Sequence, residues 1–140
     1  MTAAARPTSA FSVDVEDYFH VEAFSNDVLR DAWATYPSRV VRNTTTLLDL
    51  LDRYRVRGTF FVLGWVAQRE PGLVREIRDR GHELGCHSLL HRLIYRLSPD
   101  EFSEDTKAAK DAVERAGGCE IHGYRAPTFS ITPRSLWALD

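Results

Sequence analysis

The chain has 140 residues, of which 44% are hydrophobic and 27% charged, so it is long enough for one domain with a hydrophobic core. Its formal net charge of −2 excludes the basic surface on which nucleic-acid binding depends, and we expect no nucleic-acid partner. No segment approaches the roughly 18 consecutive apolar residues of a transmembrane helix, so we expect no membrane span.

The first third of the chain predicts a strand, a long irregular segment and a helix. Residues 10–15 have the pattern of a short strand. Residues 18–42 are rich in aromatic side chains and too long for a simple connection. Leucines at helical spacing then predict a helix over residues 44–55, with Asn43 or Thr44 as its N-cap.

The middle of the chain predicts two further strands and two further helices. Residues 59–63 form a continuous apolar run, which is typical of a buried parallel strand. A helix is expected from Pro71 to the glycine at position 81, followed by a short strand over residues 82–86. Ser98 and Glu101 form a capping box, which predicts a helix that ends at the glycine pair 117–118.

The last part predicts a fourth strand over residues 120–125 and the start of a helix at residues 132–133. Strands that alternate with helices indicate an α/β fold, with a parallel sheet and outer helices. The final helix has made barely two turns when the sequence reaches Asp140. We therefore expect residues 1–140 to be the N-terminal portion of a larger domain, truncated at its C-terminus.

Three acids follow the first predicted strand within four residues: Asp14, Glu16 and Asp17. Like charges this close raise one another's pKa, and a bound cation removes that cost. A solvated acidic loop is the alternative interpretation. Strand alternation places Asp14 and Glu16 on one face, whereas Asp17 joins them only if the strand has ended or bulged.

Two histidines, His87 and His91, follow the third predicted strand at a spacing of four residues. On a helical turn this spacing places both imidazoles on one face, close enough to share a metal ion. Ordinary polar residues are the alternative. Because parallel strands end at the same edge of a sheet, a carboxylate from the first strand completes a site with two imidazoles and one carboxylate. Such a site leaves coordination positions open for water and substrate.

Other polar and aromatic residues have a less specific signal. Arg125 follows the fourth predicted strand and can pair with an acid at the same edge. His82 is expected to hold the start of its strand. Trp33, Tyr36 and Phe129 are candidates for stacking on a sugar ring, with core packing as the alternative.

Four stretches together resemble the polysaccharide deacetylase family, also called the NodB-homology or carbohydrate esterase 4 family. Residues 12–17 (SVDVED) resemble its acidic first motif, and residues 87–91 (HSLLH), preceded by Gly-His-Glu, resemble its second. Residues 124–127 (YRAP) resemble its third motif, and residues 59–62 (TFFV) its second strand. The resemblance is to the branch found in exopolysaccharide-biosynthesis loci, whose members open with a VDVEDYF-like strand.

The resemblance implies part of a (β/α)7-type barrel, a divalent metal ion that is usually zinc, and hydrolysis of an N-acetyl group on a sugar such as N-acetylglucosamine. The partner it implies is a polysaccharide or oligosaccharide substrate. His87 and His91 match the family's metal ligands, and Asp14 matches its catalytic base. Arg125 matches the arginine that positions the base.

The third metal ligand stays open between Glu16 and Asp17, and the spacing favours Glu16. Tyr124 and Pro127, which flank the arginine in the third motif, are predicted to contact substrate. The family's general acid is a histidine in a later motif, which we expect beyond Asp140.

Two further functions stay open from the sequence. One is a small-molecule amidohydrolase like the allantoinases, which share the fold. The other is an inactive remnant that keeps the metal or carbohydrate site without turnover. Residues 1–10 lack the apolar segment of a secretion signal, and two isolated cysteines make no disulfide framework, so we expect a cytoplasmic protein.

Overall fold

The structure, a computed structural model, describes residues 9–140. The expectation about a secretion signal falls largely on residues 1–8, which lie outside the described residues. Four parallel strands form one sheet in the order β1-β2-β3-β4. Their bounds are Ser12–Val15 (β1), Thr59–Val62 (β2), Glu83–Cys86 (β3) and Gly123–Tyr124 (β4).

Within residues 9–140, four α-helices accompany the sheet: Val40–Tyr54 (α1), Gly64–Arg69 (α2), Pro71–Asp79 (α3) and Pro99–Gly117 (α4). Short 3-10 helices occupy the connections and the C-terminal region: Tyr18–His20, Glu22–Phe24, Arg30–Thr35, Ile94–Arg96, Pro127–Phe129 and Pro133–Leu139. The predicted parallel sheet with outer helices is confirmed. None of the helices in residues 9–140 combines the length and hydropathy needed to cross a membrane.

The hydrophobic core lies between the sheet and its helices. Phe60 and Val62 of β2 are fully buried, as are Val66 of α2, Ile77 of α3 and Val113 of α4. Each such side chain contributes about 1.5–3 kcal/mol through burial. This core holds the carboxyl ends of the strands in fixed positions relative to one another.

The N-terminus of α1 differs from the prediction. The helix begins at Val40, so the predicted caps, Asn43 and Thr44, lie inside it. Its first N–H groups are instead satisfied by a residue far away in sequence. The Asp17 carboxylate accepts hydrogen bonds from the N–H groups of Arg39 and Val40, at 2.8 and 3.3 Å.

Other boundaries differ as well. β1 and β4 are shorter than predicted, and α2 was not predicted as a helix. The first N–H groups of α2, from Gly64 and Trp65, donate to the carbonyls of Ser88 and Leu89, so this short helix depends on a tertiary contact. The C-terminal helix is a 3-10 helix interrupted at Ser135, where φ is −124°.

Candidate metal centre

The sheet brings the predicted polar residues to one edge. Asp14 lies near the end of β1, and Glu16 directly follows that strand. His87 directly follows β3, and Arg125 directly follows β4. Since all four strands are parallel, these side chains come from the carboxyl ends of β1, β3 and β4, which lie at the same end of the sheet.

Glu16, His87 and His91 form a compact cluster. One potential ligand atom from each lies within 4.8 Å of the other two. Glu16 Oε2 lies 3.2 Å from His91 Nε2. Both Glu16 Oε2 and His91 Nδ1 are buried, and neither has a hydrogen-bond partner of acceptable geometry among residues 9–140. Buried polar atoms are rarely left unpaired, so the unpaired Glu16 Oε2, which faces His91 Nε2, fits a bound cation.

The ring of His87 is oriented by a backbone group. Its Nδ1 lies 2.8 Å from the carbonyl oxygen of Arg125. A carbonyl only accepts, so this contact assigns the proton to Nδ1 and leaves a lone pair on Nε2. Metal-binding histidines commonly have such a bond on the nitrogen that does not bind the metal.

The pKa shifts of Glu16, His87 and His91 also favour the binding of a metal cation. Burial, and then the charge of Asp14, raise the pKa of Glu16 to about 7. Burial, and then the neighbouring His87, lower the pKa of His91 to about 4. Burial also lowers the pKa of His87. The imidazoles are thus neutral donors, and the carboxylate lacks a positive partner that would stabilise its charge.

The two histidines do not lie on a helical turn, which corrects the prediction from their spacing. Residues 87–93, here called the histidine loop, are irregular, and φ is positive at Ser88 (68°) and His91 (52°). Asp105, buried on α4, holds the loop in this strained conformation. Its carboxylate accepts bonds from Ser88 Oγ at 2.8 Å and from the N–H of Leu89 at 3.0 Å.

Asp105 is not among the predicted site residues, although its position in the helix pattern indicates a buried role. It lies on the same face of α4 as Ala109, Ala112 and Ala116, which are buried. A charged residue within an apolar helical stripe has to be hydrogen-bonded by another element. The pattern therefore marks Asp105 as a residue with a buried partner, although it does not identify Ser88 as that partner.

Asp14 lies beside the cluster and is paired with Arg125. Arg125 Nη1 lies 2.6 Å from Asp14 Oδ1, and Nη2 donates to Ser12 Oγ at 2.6 Å. The guanidinium also lies over the ring of Phe61, 4.1 Å from its centroid. Asp14 Oδ2 is 3.9 Å from His87 Nε2. One oxygen of Asp14 therefore bonds the arginine, while the other faces the cluster.

Asp17, the alternative third ligand, is not brought into the cluster. Besides the two N–H groups at the start of α1, its carboxylate accepts a bond from Ser38 Oγ at 2.6 Å. Its backbone N–H donates to His20 Nδ1 at 2.8 Å. Because β1 ends at Val15, Glu16 and Asp17 point in different directions, and only Glu16 joins the histidines.

The side chains of Tyr124 and Pro127, predicted to contact substrate, are also placed elsewhere. The Tyr124 ring packs edge-on against Phe102 of α4, and its hydroxyl is buried. Successive residues of an extended chain point to opposite faces, so Tyr124 faces α4 where Arg125 faces the site. Pro127 is buried at the start of a 3-10 helix. His82 accepts a bond from the N–H of Gly58 at 3.2 Å, as expected for a structural residue.

The three aromatic stacking candidates have different environments. Trp33 is only 3% exposed and packs among Phe19, His20 and Trp65, so its face is not free for a sugar. Tyr36 stacks on Phe19 with centroids 5.6 Å apart. Phe129 is 84% exposed.

Comparison with known proteins identifies the family. The polysaccharide deacetylase family model matches residues 30–140. A peptidoglycan-N-acetylglucosamine deacetylase of Bacillus cereus is 30% identical over 98 residues, which cover 69% of this chain and 36% of that protein. A chitooligosaccharide deacetylase of Bradyrhizobium is 31% identical over 97 residues, which cover 69% of this chain and 42% of that protein.

The fold agrees with solved structures of the family. A polysaccharide deacetylase from Mycobacterium smegmatis superposes with a TM-score of 0.75 and 28% identity, over 93% of this chain and 46% of that one. The chain thus spans less than half the length of each of these relatives. The parallel sheet with outer helices matches part of their (β/α)7-type barrel. The chain belongs to the polysaccharide deacetylase family.

Proposed function

We propose that this chain forms the metal-binding and base-bearing part of a hydrolase that removes N-acetyl groups from an N-acetylhexosamine-containing polysaccharide or its precursor. The observation that carries the proposal is the convergence of Glu16, His87 and His91, with the Asp14–Arg125 pair directly beside them. Family membership and relatives that are polysaccharide and oligosaccharide deacetylases support it.

Glu16, His87 and His91 would hold a divalent ion, and we propose zinc. Two imidazoles and one carboxylate are a common donor set of catalytic zinc sites. When bound, such an ion polarises a carbonyl and lowers the pKa of water towards neutrality. The unpartnered, buried Glu16 Oε2, 3.2 Å from His91 Nε2, supports the assignment from this chain alone.

Asp14 is the proposed general base. Its free oxygen faces the cluster, where it can accept a proton from an attacking water. Arg125, bonded to the other oxygen and to Ser12, fixes the direction of the carboxylate. Arg125 is therefore a positioning residue, and its carbonyl also orients His87.

Protonation of the departing amine needs a general acid. None of the other three histidines is suited to that role. His82 precedes β3, at the opposite end of that strand from His87, and accepts a bond from the N–H of Gly58. His20 is buried among aromatic rings, and burial lowers its pKa to about 4. His122 is 77% exposed and pairs with Glu120. We propose that the acid comes from outside these 140 residues, as the family resemblance implies.

The proposal also covers the branch of the family and the cellular location. We propose that the protein belongs to the exopolysaccharide-locus branch, on its VDVEDYF motif, and that it acts in the cytoplasm. No observation favours the small-molecule amidohydrolase or the inactive remnant.

Acetate release tests the proposal. The full-length protein, loaded with zinc, is incubated with oligosaccharides of N-acetylglucosamine, and acetate is measured. We expect release that stops on chelation and returns on addition of zinc. Acetate release that is indifferent to chelation would contradict the metal assignment, and hydrolysis of small cyclic amides without action on the sugar would contradict the substrate class.

A further inference from the structure

His20 is a buried histidine that the proposed chemistry does not use. It ends the first 3-10 helix after β1 and is only 3% exposed. Its imidazole packs edge-on against the rings of Phe19, Trp33 and Trp65, with centroids 4.4, 4.4 and 4.9 Å away. Because interiors are close-packed, aromatic rings at these distances hold the imidazole in one orientation.

His20 is bonded to the backbone of Asp17 in both directions. The N–H of Asp17 donates to His20 Nδ1 at 2.8 Å, and the N–H of His20 donates to the carbonyl of Asp17 at 3.0 Å. A backbone N–H only donates, so Nδ1 is the acceptor and the ring proton lies on Nε2. Burial lowers the pKa of His20 to about 4, so the ring is neutral at neutral pH and keeps this acceptor.

The bonded N–H belongs to the peptide unit between Glu16 and Asp17, where the two acidic side chains diverge. The pairing of β1 with β2 ends at Val15, so this unit lies beyond the sheet. A peptide unit is planar, and fixing its N–H also fixes the backbone rotation after Glu16 and before Asp17. In the orientation observed, Glu16 Oε2 lies 3.2 Å from His91 Nε2, whereas the Asp17 carboxylate bonds the start of α1.

The aromatic rings around His20 also contact the element that carries the two histidine ligands. Trp65 packs against the imidazole, and its N–H donates to the carbonyl of Leu89 in the histidine loop at 3.0 Å. The orientation of His20 is therefore fixed relative to the loop that Glu16 has to meet.

We infer that His20 is the positioning residue that turns Glu16, rather than Asp17, towards the metal. The inference rests on the proposed function, because it concerns the ligands of the proposed metal centre. His20 acts through the backbone of residues 16–17. Without its acceptor, the buried N–H of Asp17 is left unpaired, which favours other orientations of the peptide unit.

Replacement of His20 by asparagine or leucine tests this role in the full-length protein. The amide oxygen of asparagine lies as many bonds from Cβ as Nδ1 does and can accept the same N–H, whereas leucine has a similar shape and no acceptor. We expect His20→Leu to weaken zinc affinity about tenfold, as is typical when a residue that supports a metal ligand is lost, and His20→Asn to preserve it. His122→Leu is the matched control, because it removes an exposed histidine and leaves the affinity unchanged.

Two readouts distinguish the positioning of Glu16 from a general effect on folding. The visible absorption spectrum of Co²⁺-substituted His20→Leu protein is expected to shift towards that of Glu16→Ala, since both changes affect the same ligand. In a Glu16→Ala background, His20→Leu is expected to weaken zinc affinity no further, because the side chain that it positions is absent.

His20→Gln is a second variant for the case in which leucine disturbs the aromatic packing. Its amide oxygen lies one bond further from Cβ, at the distance of Nε2, and we expect the weakened affinity of His20→Leu. Equal zinc affinity in the leucine and asparagine variants would overturn the inference, as would a glutamine variant that binds like the unmodified protein. An effect of His20→Leu that is as large without Glu16 as with it would also overturn it. Failure of the proposed function looks different, because then the unmodified protein binds no zinc tightly.

Discussion

One oxygen of Asp14 accepts a hydrogen bond from the guanidinium of Arg125, and the other faces Glu16, His87 and His91. This arrangement predicts that Asp14→Asn keeps the metal and loses turnover. The amide preserves the shape but cannot accept the proton, and a general base contributes about 10²- to 10⁴-fold. Metal content by elemental analysis and acetate release measured on the same preparation check both parts.

Arg125→Lys is the variant to compare with Asp14→Asn, because it changes the residue that positions the base and not the base itself. Lysine keeps a charge near Asp14 but cannot bond Asp14 and Ser12 together through a planar fork. We expect an intermediate loss of kcat with the metal retained. A normal rate in Asp14→Asn would show that another group accepts the proton.

Glu16 and Asp17 are adjacent, yet the structure predicts opposite effects of their removal. Glu16→Ala removes a ligand and is expected to weaken metal affinity by at least about 100-fold. Asp17→Ala removes the cap of α1 and is expected to lower the free energy of unfolding by about 2 kcal/mol, with metal stoichiometry unchanged. Metal titration and denaturant unfolding of both variants distinguish the roles, and the reverse pattern would place Asp17 at the metal.

The pKa values of the metal-free cluster predict how metal affinity depends on pH. Ligation needs an ionised carboxylate and neutral imidazoles. With the pKa of Glu16 raised to about 7 and that of His91 lowered to about 4, Glu16 is still protonated and His91 is neutral between about pH 5 and 6.5. The pKa of His87 is lowered as well, which favours its neutral form.

Metal binding in that range therefore releases one proton. The logarithm of the affinity is expected to rise by about one per pH unit and to level off above about pH 7. Competition titrations at constant ionic strength measure the slope. A slope of two or three below pH 6.5 would mean that one or both histidines must also lose a proton, against the lowered pKa values of His87 and His91.

The sequence alone predicts the residues of the cluster better than their surroundings. The spacing predicts His87 and His91 and favours Glu16 over Asp17, because the carboxyl ends of parallel strands lie at the same end of a sheet whatever the details of the loops. The side chain of Tyr124 could not be placed from its motif. Its direction depends on where β4 pairs, and this strand has only two residues.

At the scale of elements, helix α4 positions the histidine loop. Asp105 bonds Ser88 and Leu89, where the loop departs from ordinary backbone conformation. We expect Asp105→Ala to weaken metal affinity by about 10- to 100-fold, as is typical when a residue that supports metal ligands is lost. Metal titration of folded protein, with circular dichroism as the check on folding, measures the effect.

Asp111→Ala is the matched control for Asp105, because it changes an exposed aspartate on the same helix. Asp105→Asn should recover part of the affinity, since an amide oxygen still accepts one bond. If Asp105→Ala binds metal as tightly as Asp111→Ala, the loop holds the histidines without help from α4.

Elements with local signals were predicted, and those that depend on distant partners were not. The capping box of Ser98 and Glu101 and the left-handed Gly118 (φ 64°) define α4 within its own sequence. The start of α1 depends on Asp17, 23 residues before Val40, and α2 depends on carbonyls of the histidine loop. No local pattern contains these partners.

At the scale of the whole molecule, the parallel sheet determines the function that we propose. Its order places the ends of β1, β3 and β4 within reach of one another, with Phe61 of β2 beneath Arg125. Gly85 permits this packing, because a Cβ there would lie 2.6 Å from the Phe61 ring. The sheet thus brings together a carboxylate, two imidazoles and a paired base that are separated by up to 111 residues in sequence.

The most direct test is the zinc stoichiometry of the full-length protein and of its His87→Ala and His91→Ala variants, measured by titration after removal of bound metal. We expect one tightly bound ion per chain in the unmodified protein and loss of that tight site in each variant. A tight site that survives in either histidine variant, or its absence from the unmodified protein, would contradict a metal centre formed by Glu16, His87 and His91.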